Sequence, residues 1–266
     1  MTNPWEEEFA AEFEICERLL GFAKQLPVRL AHPKTEYESL LLGFFAKILN
    51  GLDAIVVLCR QGRAVTALPL LRVMFEDSIN LSYISAAPDE RATRYLEYSW
   101  VEKKLMLDDL RAAGYQNYEQ DLEKAKEAPW WKEYQRVKAN YPFELSWEHY
   151  VDEDQKQKAL KPFEMAKHVK ATEPYRLIYP YASRVAHCTA TGLSMYLTPE
   201  DSAKGATLDL DPSGKEINSL LGPAFALGIL VVKEAISVSS PAFLPQAQAL
   251  DKEGQKIFIG EEGKKS

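Results

Sequence analysis

Cysteine is scarce in this 266-residue chain. It has three, Cys16, Cys59 and Cys188, far apart and without a CxxC or CxxH pair. That usage argues against a disulfide framework and against a structural zinc site. Free buried thiols in a reducing cytosol are the simplest expectation. Basic charge is also short. Lys and Arg number 32 against 39 Asp and Glu, a net charge of −7 and a pI near 5.3. A general nucleic-acid binder is normally basic, because phosphate contacts dominate its affinity. Only a local basic groove stays open to this chain. The opening MTNPWEEE lacks the basic start and apolar stretch of a signal peptide. The longest apolar run, 220–232, is closed by Lys233 and Glu234. A spanning helix needs about 20 such residues. A buried core helix, no membrane association and a cytoplasmic location are therefore expected.

Several signatures are missing too. There is no GxxxxGK[ST], GxGxxG, GxSxG or HExxH. Gly205 and Gly214 sit in loops without a phosphate-cradling pattern. No cofactor is expected. His32, His149 and His168 have no evident partner spacing. Glu76 with His187 supplies two metal donors, too few to define a site, so no metal is expected.

Helix signals fill the rest, and no stretch alternates long enough to read as a strand. Asn3 and Pro4 open a helix. Thr35-x-x-Glu38 is a capping box before an apolar helix running to Cys59. Gln61-Gly62 ends it. A third helix covers about 64–86, and a fourth runs from Pro88 to a cap at Gly114. Residues 115–150 mix charge with Trp130, Trp131, Tyr134, Tyr141, Phe143, Trp147 and Tyr150, and read as an inserted hairpin and loop. Lys156, Lys158, Lys161, Lys167, His168 and Lys170 make a basic, solvated stretch. A helix follows over about 174–191, bent at Pro180. Ser213-x-x-Glu216 reads as a second capping box, opening the last helix. The expected fold is all-α. Seven or eight helices make one bundle over 1–243, residues 115–172 are inserted, and 244–266 form a mobile tail.

Two polar ridges stand out. Arg72, Glu76 and Asn80 are spaced i, i+4, i+8 on the third helix. At about 100° per residue, Arg72 lies roughly 40° from Leu68, at the edge of the apolar stripe. Charges there are costly unless paired. Tyr179, Ser183 and His187 repeat the spacing on the late helix, with Arg184 beside them. If the ridges face each other, a pocket forms with a histidine, hydroxyls and a carboxylate, a usable acid–base set. The same spacings also describe an intrahelical salt bridge or a polar ridge that fixes helix register.

The stretch from Ala67-Leu68-Pro69-Leu70-Leu71-Arg72 to Phe75-Glu76, continuing through Ile79-Asn80-Leu81-Ser82-Tyr83-Ile84, and the later Tyr181-Ala182-Ser183-Arg184-Val185-Ala186-His187, carry a resemblance. Together they resemble a bacterial all-helical family of unknown function, with a Leu-Arg-x-x-x-Glu helix early and a Ser-x-x-x-His helix late. The resemblance implies that Arg72, Glu76, Ser183 and His187 belong to one site. More distantly, the chain is similar to HEPN helical bundles, many of them metal-independent ribonucleases of toxin and antiviral systems. Their Arg and His lie further apart than Arg184 and His187, or Arg29 and His32, do here.

Three functional classes follow. The first is an effector of a bacterial stress or phage-defence system. In it His187, Glu76 and Arg72 are catalytic, Ser183, Arg184, Asn80 and Tyr179 bind substrate, and RNA cleavage is the most concrete activity. The second is a non-catalytic interaction protein using the aromatic insertion. The third is a small-ligand sensor. RNA or a protein is the partner these imply, and a homodimer is compatible with such a bundle.

Overall fold

The computed structural model describes residues 3–26, 33–142, 146–152, 154–187, 189–199, 206–208 and 211–260. Arg29, His32, Phe143, Cys188, Gly205 and the last six residues of the expected tail lie outside them. The fold is all-α. Twelve α-helices are described, α1 Pro4–Glu8, α2 Ala10–Gln25, α3 Glu36–Arg60, α4 Ala64–Ser85, α5 Pro88–Ala112, α6 Tyr118–Glu127, α7 Pro129–Val137, α8 Pro162–His168, α9 Thr172–Ala186, α10 Ala190–Ser194, α11 Ile217–Ser239 and α12 Leu244–Ile259. Two short antiparallel ribbons, absent from the sequence reading, join them. These are β1 His149–Val151 with β2 Gln157–Ala159, and β3 Leu197–Pro199 with β4 Ala206–Leu208. At three residues each they are too short to show a period-two pattern.

The chain divides into two compact units. Met1–Leu81 and Ala171–Ser266 make the first, and Ser82–Lys170 the second. The expected insertion thus begins near residue 82 rather than 115 and takes in α5. That helix buries only Ala92, Tyr98 and Val101, and its helical partners are α6 and α7.

In the first unit α3 and α11 form the most extensive helix pair. Leu52, Ile55 and Ile48 of α3 and Leu220, Leu221, Val231 and Val232 of α11 are fully buried. Both helices are long and apolar enough to cross a membrane by length and composition. Each turns much of that apolar surface into this core. A Cβ on Gly228 would stand 3.0 Å from Leu52 Cδ2 and 3.2 Å from Leu19 Cδ2, so a larger residue there would push those side chains back by a few tenths of an ångström where α11 meets α2 and α3.

Thr35 caps α3 as its spacing predicts, its hydroxyl accepting from the Glu38 amide at 3.1 Å. The second capping box does not form. Glu216 itself occupies the N-cap at φ +65°, and its carboxylate accepts the Tyr181 hydroxyl. The stretch expected as a tail is instead α12 over 244–259. Ala247 and Gly254 bury its inner face against α2 and α11. Pro180 lies within α9 without ending it, and that helix stops at Ala186 rather than Thr191. Cys16 and Cys59 are free and fully buried. Burial pushes the Cys59 thiol up to about 12, and burial beside Cys59 raises Cys16 further. Both are inert at neutral pH.

Asp77 of α4 is 6% exposed. Lys47 donates to its Oδ1 at 2.8 Å, and its buried Oδ2 has no partner among the described residues. Burial raises the carboxyl above its ordinary 3.8, with Lys47 opposing. The folded state therefore holds the proton to a higher pH than the unfolded chain, and this residue's contribution to stability falls as pH rises above about 4. Asp77→Asn carries no such cost. The melting temperature of Asp77→Asn relative to wild type is expected to climb from pH 3 to 7, measured by calorimetry. A difference independent of pH would show that no ionisation cost exists there.

Candidate functional site

Both halves of the site lie in the first unit. Helix α4 carries Arg72 and Glu76 one turn apart. Helix α9 carries Tyr175, Tyr179 and Ser183 at the same spacing, and His187 is its C-cap residue. Spacing of four residues stacks side chains on one face of a helix.

Arg72 is the hub. Its Nε donates to Glu76 Oε1 at 3.2 Å and its Nη2 to the Tyr179 hydroxyl at 3.1 Å. Its Nη1 lies 2.5 Å from His187 Nε2, a residue 115 positions later. A guanidinium only donates, so Nε2 accepts and the imidazole carries its proton on Nδ1. The guanidinium carbon also sits 5.1 Å from the Tyr179 ring centroid. Behind it Tyr175 stacks on Tyr179, centroids 4.6 Å apart, and tilts against Phe75 at 6.1 Å. This aromatic backing fixes the fork from one side.

Burial works against the Arg72 charge, but the Glu76 and Tyr179 interactions outweigh it and the pKa rises. Arg72 stays cationic. Burial, with Tyr179 beside it, pushes Tyr175 up to about 12, so that hydroxyl keeps its proton. The Arg72 and Glu76 side chains are 20% and 30% exposed, and His187 is exposed. The cluster is open to solvent at its histidine end.

The two ridges inferred from spacing thus meet. Arg72, Glu76, Tyr179 and His187 form one connected set. The Ser183 hydroxyl, one turn before His187, is buried with no hydrogen-bond partner among the described residues. Asn80 turns its amide back to the Glu76 carbonyl at 3.0 Å. Arg184 is exposed, and its carbonyl accepts from the Thr189 amide and hydroxyl at 3.1 and 3.0 Å. Tyr175 was missed, although its i, i+4 relation to Tyr179 signalled it. No group of three metal-donor side chains occurs among the described residues.

Residues 38–205 match the family of unknown function DUF5677. The chain belongs to that family. The DUF5677 region runs from α3 to beyond β3 and includes every residue of the Arg72 cluster, whereas α11 and α12 lie past its end. No curated protein and no solved structure matches the chain. Outside the DUF5677 region, α11 and α12 line most of a cavity of about 1020 Å³ with an apolar floor, to which Ile178 of α9 contributes.

Proposed function

We propose that this protein is a cytoplasmic effector of a bacterial stress or phage-defence system that cleaves RNA at the Arg72–Glu76–His187 cluster. The observation that carries the reading is the contact of Arg72 Nη1 with His187 Nε2 at 2.5 Å, on a solvent-accessible edge. It pairs a fixed cation with a proton-transfer group, the two elements that phosphodiester cleavage without a metal requires.

In this reading Arg72 exchanges its bond to Nε2 for one to a non-bridging phosphate oxygen. The freed Nε2 of His187 takes the proton of the ribose 2′-hydroxyl. The 2′-oxygen bonds to phosphorus and the P–O5′ bond breaks. The proton passes to O5′, leaving a 2′,3′-cyclic phosphate and a 5′-hydroxyl. Glu76 holds Arg72 in plane. Tyr179, Ser183, Asn80 and Arg184 are assigned to substrate binding in the same reading.

The test is incubation of the purified chain with end-labelled RNA and with the same RNA carrying 2′-deoxy residues. Cyclic-phosphate ends from the first substrate alone are expected. Uncut RNA over a panel of sequences and structured RNAs sinks the reading. A second reading, a small-ligand sensor, is favoured by the apolar cavity beside α11 and α12. In that case a metabolite raises the melting temperature and no RNA is cut.

A further inference from the structure

Helices α11 and α12 meet at glycines. A Cβ on Gly254 would overlap the Phe225 ring, and one on Gly222 would stand 3.2 Å from the Phe258 ring. Each helix thus seats an aromatic ring against bare backbone of the other, and the two ring centroids are 5.7 Å apart. Beside them runs the cavity of about 1020 Å³, whose lining on α11 extends from Asn218 to Ser237, about 28 Å of helix. It is an apolar groove whose floor is built before any ligand arrives.

The charges on its wall do not balance. Two acids, Glu234 and Asp251, line it with one base, Lys233. Asp251 is fully engaged. Lys233 pairs with its Oδ2, and Gln255 Nε2 donates to its Oδ1 at 3.0 Å. The Lys233 charge is thereby met. Glu234 accepts the Tyr37 hydroxyl on Oε1, and among the described residues no Lys or Arg pairs with it. Its side chain is half-buried, where an unpaired charge is costly. Glu234 also continues an apolar wall. Ala226, Leu230 and Glu234 fall at i, i+4, i+8 on one face of α11, with Ala226 exposed and Leu230 40% exposed.

An apolar trough that ends at an uncompensated carboxylate complements an elongated apolar molecule with a cationic head. We infer that the groove binds a small-molecule amine, its hydrocarbon along Phe258, Ala226 and Leu230 and its ammonium on Glu234. From Gly222 to Leu230 the apolar stretch is roughly 12 Å long, the span of an alkyl chain of about ten carbons. A carboxylate in the same place would meet Glu234 and Asp251, because Lys233 is already paired. The inference deepens the small-ligand reading by naming the ligand's chemistry, and it does not depend on RNA cleavage.

The experiment is isothermal titration of the full chain, at constant ionic strength, with decylamine, decanol and decanoate, each kept below the concentration at which it aggregates. Decylamine is expected to bind at a single site, about tenfold or more tighter than the other two. Octylamine should bind roughly fifteenfold more weakly than decylamine, at about fourfold per buried methylene. Glu234→Gln keeps an acceptor for Tyr37 and should melt as wild type. It should weaken decylamine about tenfold and leave decanol unchanged. Ala226→Trp fills the groove from an exposed position and should abolish both. Equal binding of decylamine and decanol, or decylamine binding untouched by Glu234→Gln, overturns the amine assignment and leaves the small-ligand reading standing. Failure of every probe to bind overturns both. Binding that survives Ala226→Trp overturns the inference, since the amine would then sit elsewhere on this acidic chain.

Discussion

His187→Ala should lower RNA cleavage by two to four orders of magnitude, the usual worth of a positioned proton-transfer group. The same variant should melt within about 4 °C of wild type. Losing one solvent-exposed hydrogen bond costs about 1 kcal/mol. For a chain of this size each kcal/mol is worth roughly 2–4 °C. His187 is exposed, and the Arg72 Nη1 hydrogen that it releases can turn to water. Cleavage in single turnover and a calorimetric melt on the same preparations separate the outcomes. A markedly lower melting temperature with unchanged cleavage would make the Arg72–His187 contact a structural tie between α4 and α9. A large rate loss at constant stability is what the catalytic reading requires.

Leu52→Ala should be among the costliest single changes in the chain. Leu52 is fully buried in α3, and a leucine truncated in a closed core loses about 2–5 kcal/mol in transfer and cavity terms. Its Cδ2 is also the atom that a side chain on Gly228 would meet first, at 3.0 Å. Gly228→Ala alone forces that methyl into a full space and should cost about 1–3 kcal/mol. The two changes occupy the same volume from opposite sides. The double variant should therefore be more stable than the sum of the singles predicts, because the new methyl enters the space that Leu52 leaves. Denaturant titration of the four proteins measures this coupling. Strict additivity would show that α11 does not approach α3 at Gly228.

The first unit was legible where its residues repeat at helical spacing. Arg72 with Glu76, and Tyr179 with Ser183 and His187, declared their faces through the four-residue interval, and the cost of an unpaired charge at the rim of an apolar stripe called for a partner, although spacing alone left open whether the two ridges face each other. The second unit was not legible in this way. His149 showed no partner spacing because its partner Arg94 lies 55 residues earlier on another element. Glu148 looked like one more acid in a charged stretch, and only the fold shows it buried. The α12 segment was mistaken for a tail because its buried face is made of Ala247 and Gly254, small residues that leave almost no periodic signal. Glu216 matched a capping box by spacing, yet its carboxylate is taken by Tyr181, a partner that no local pattern records.

The division of the first unit into two distant stretches of chain has a consequence during synthesis. Helix α3 ends at Arg60 and its principal partner α11 begins only at Ile217. At about 5–20 residues per second a ribosome takes on the order of 10–30 s to bridge that gap. Throughout it the apolar helix α3 has α2 and α4 to pack on but lacks the surface of α11, while the Ser82–Lys170 unit can already collapse on itself. The nascent chain is thus a finished small unit trailing an open one. Truncated products ending before residue 217 expose the apolar face of α3 that α11 covers, which makes them the natural clients of chaperones and prone to aggregate when translation stalls.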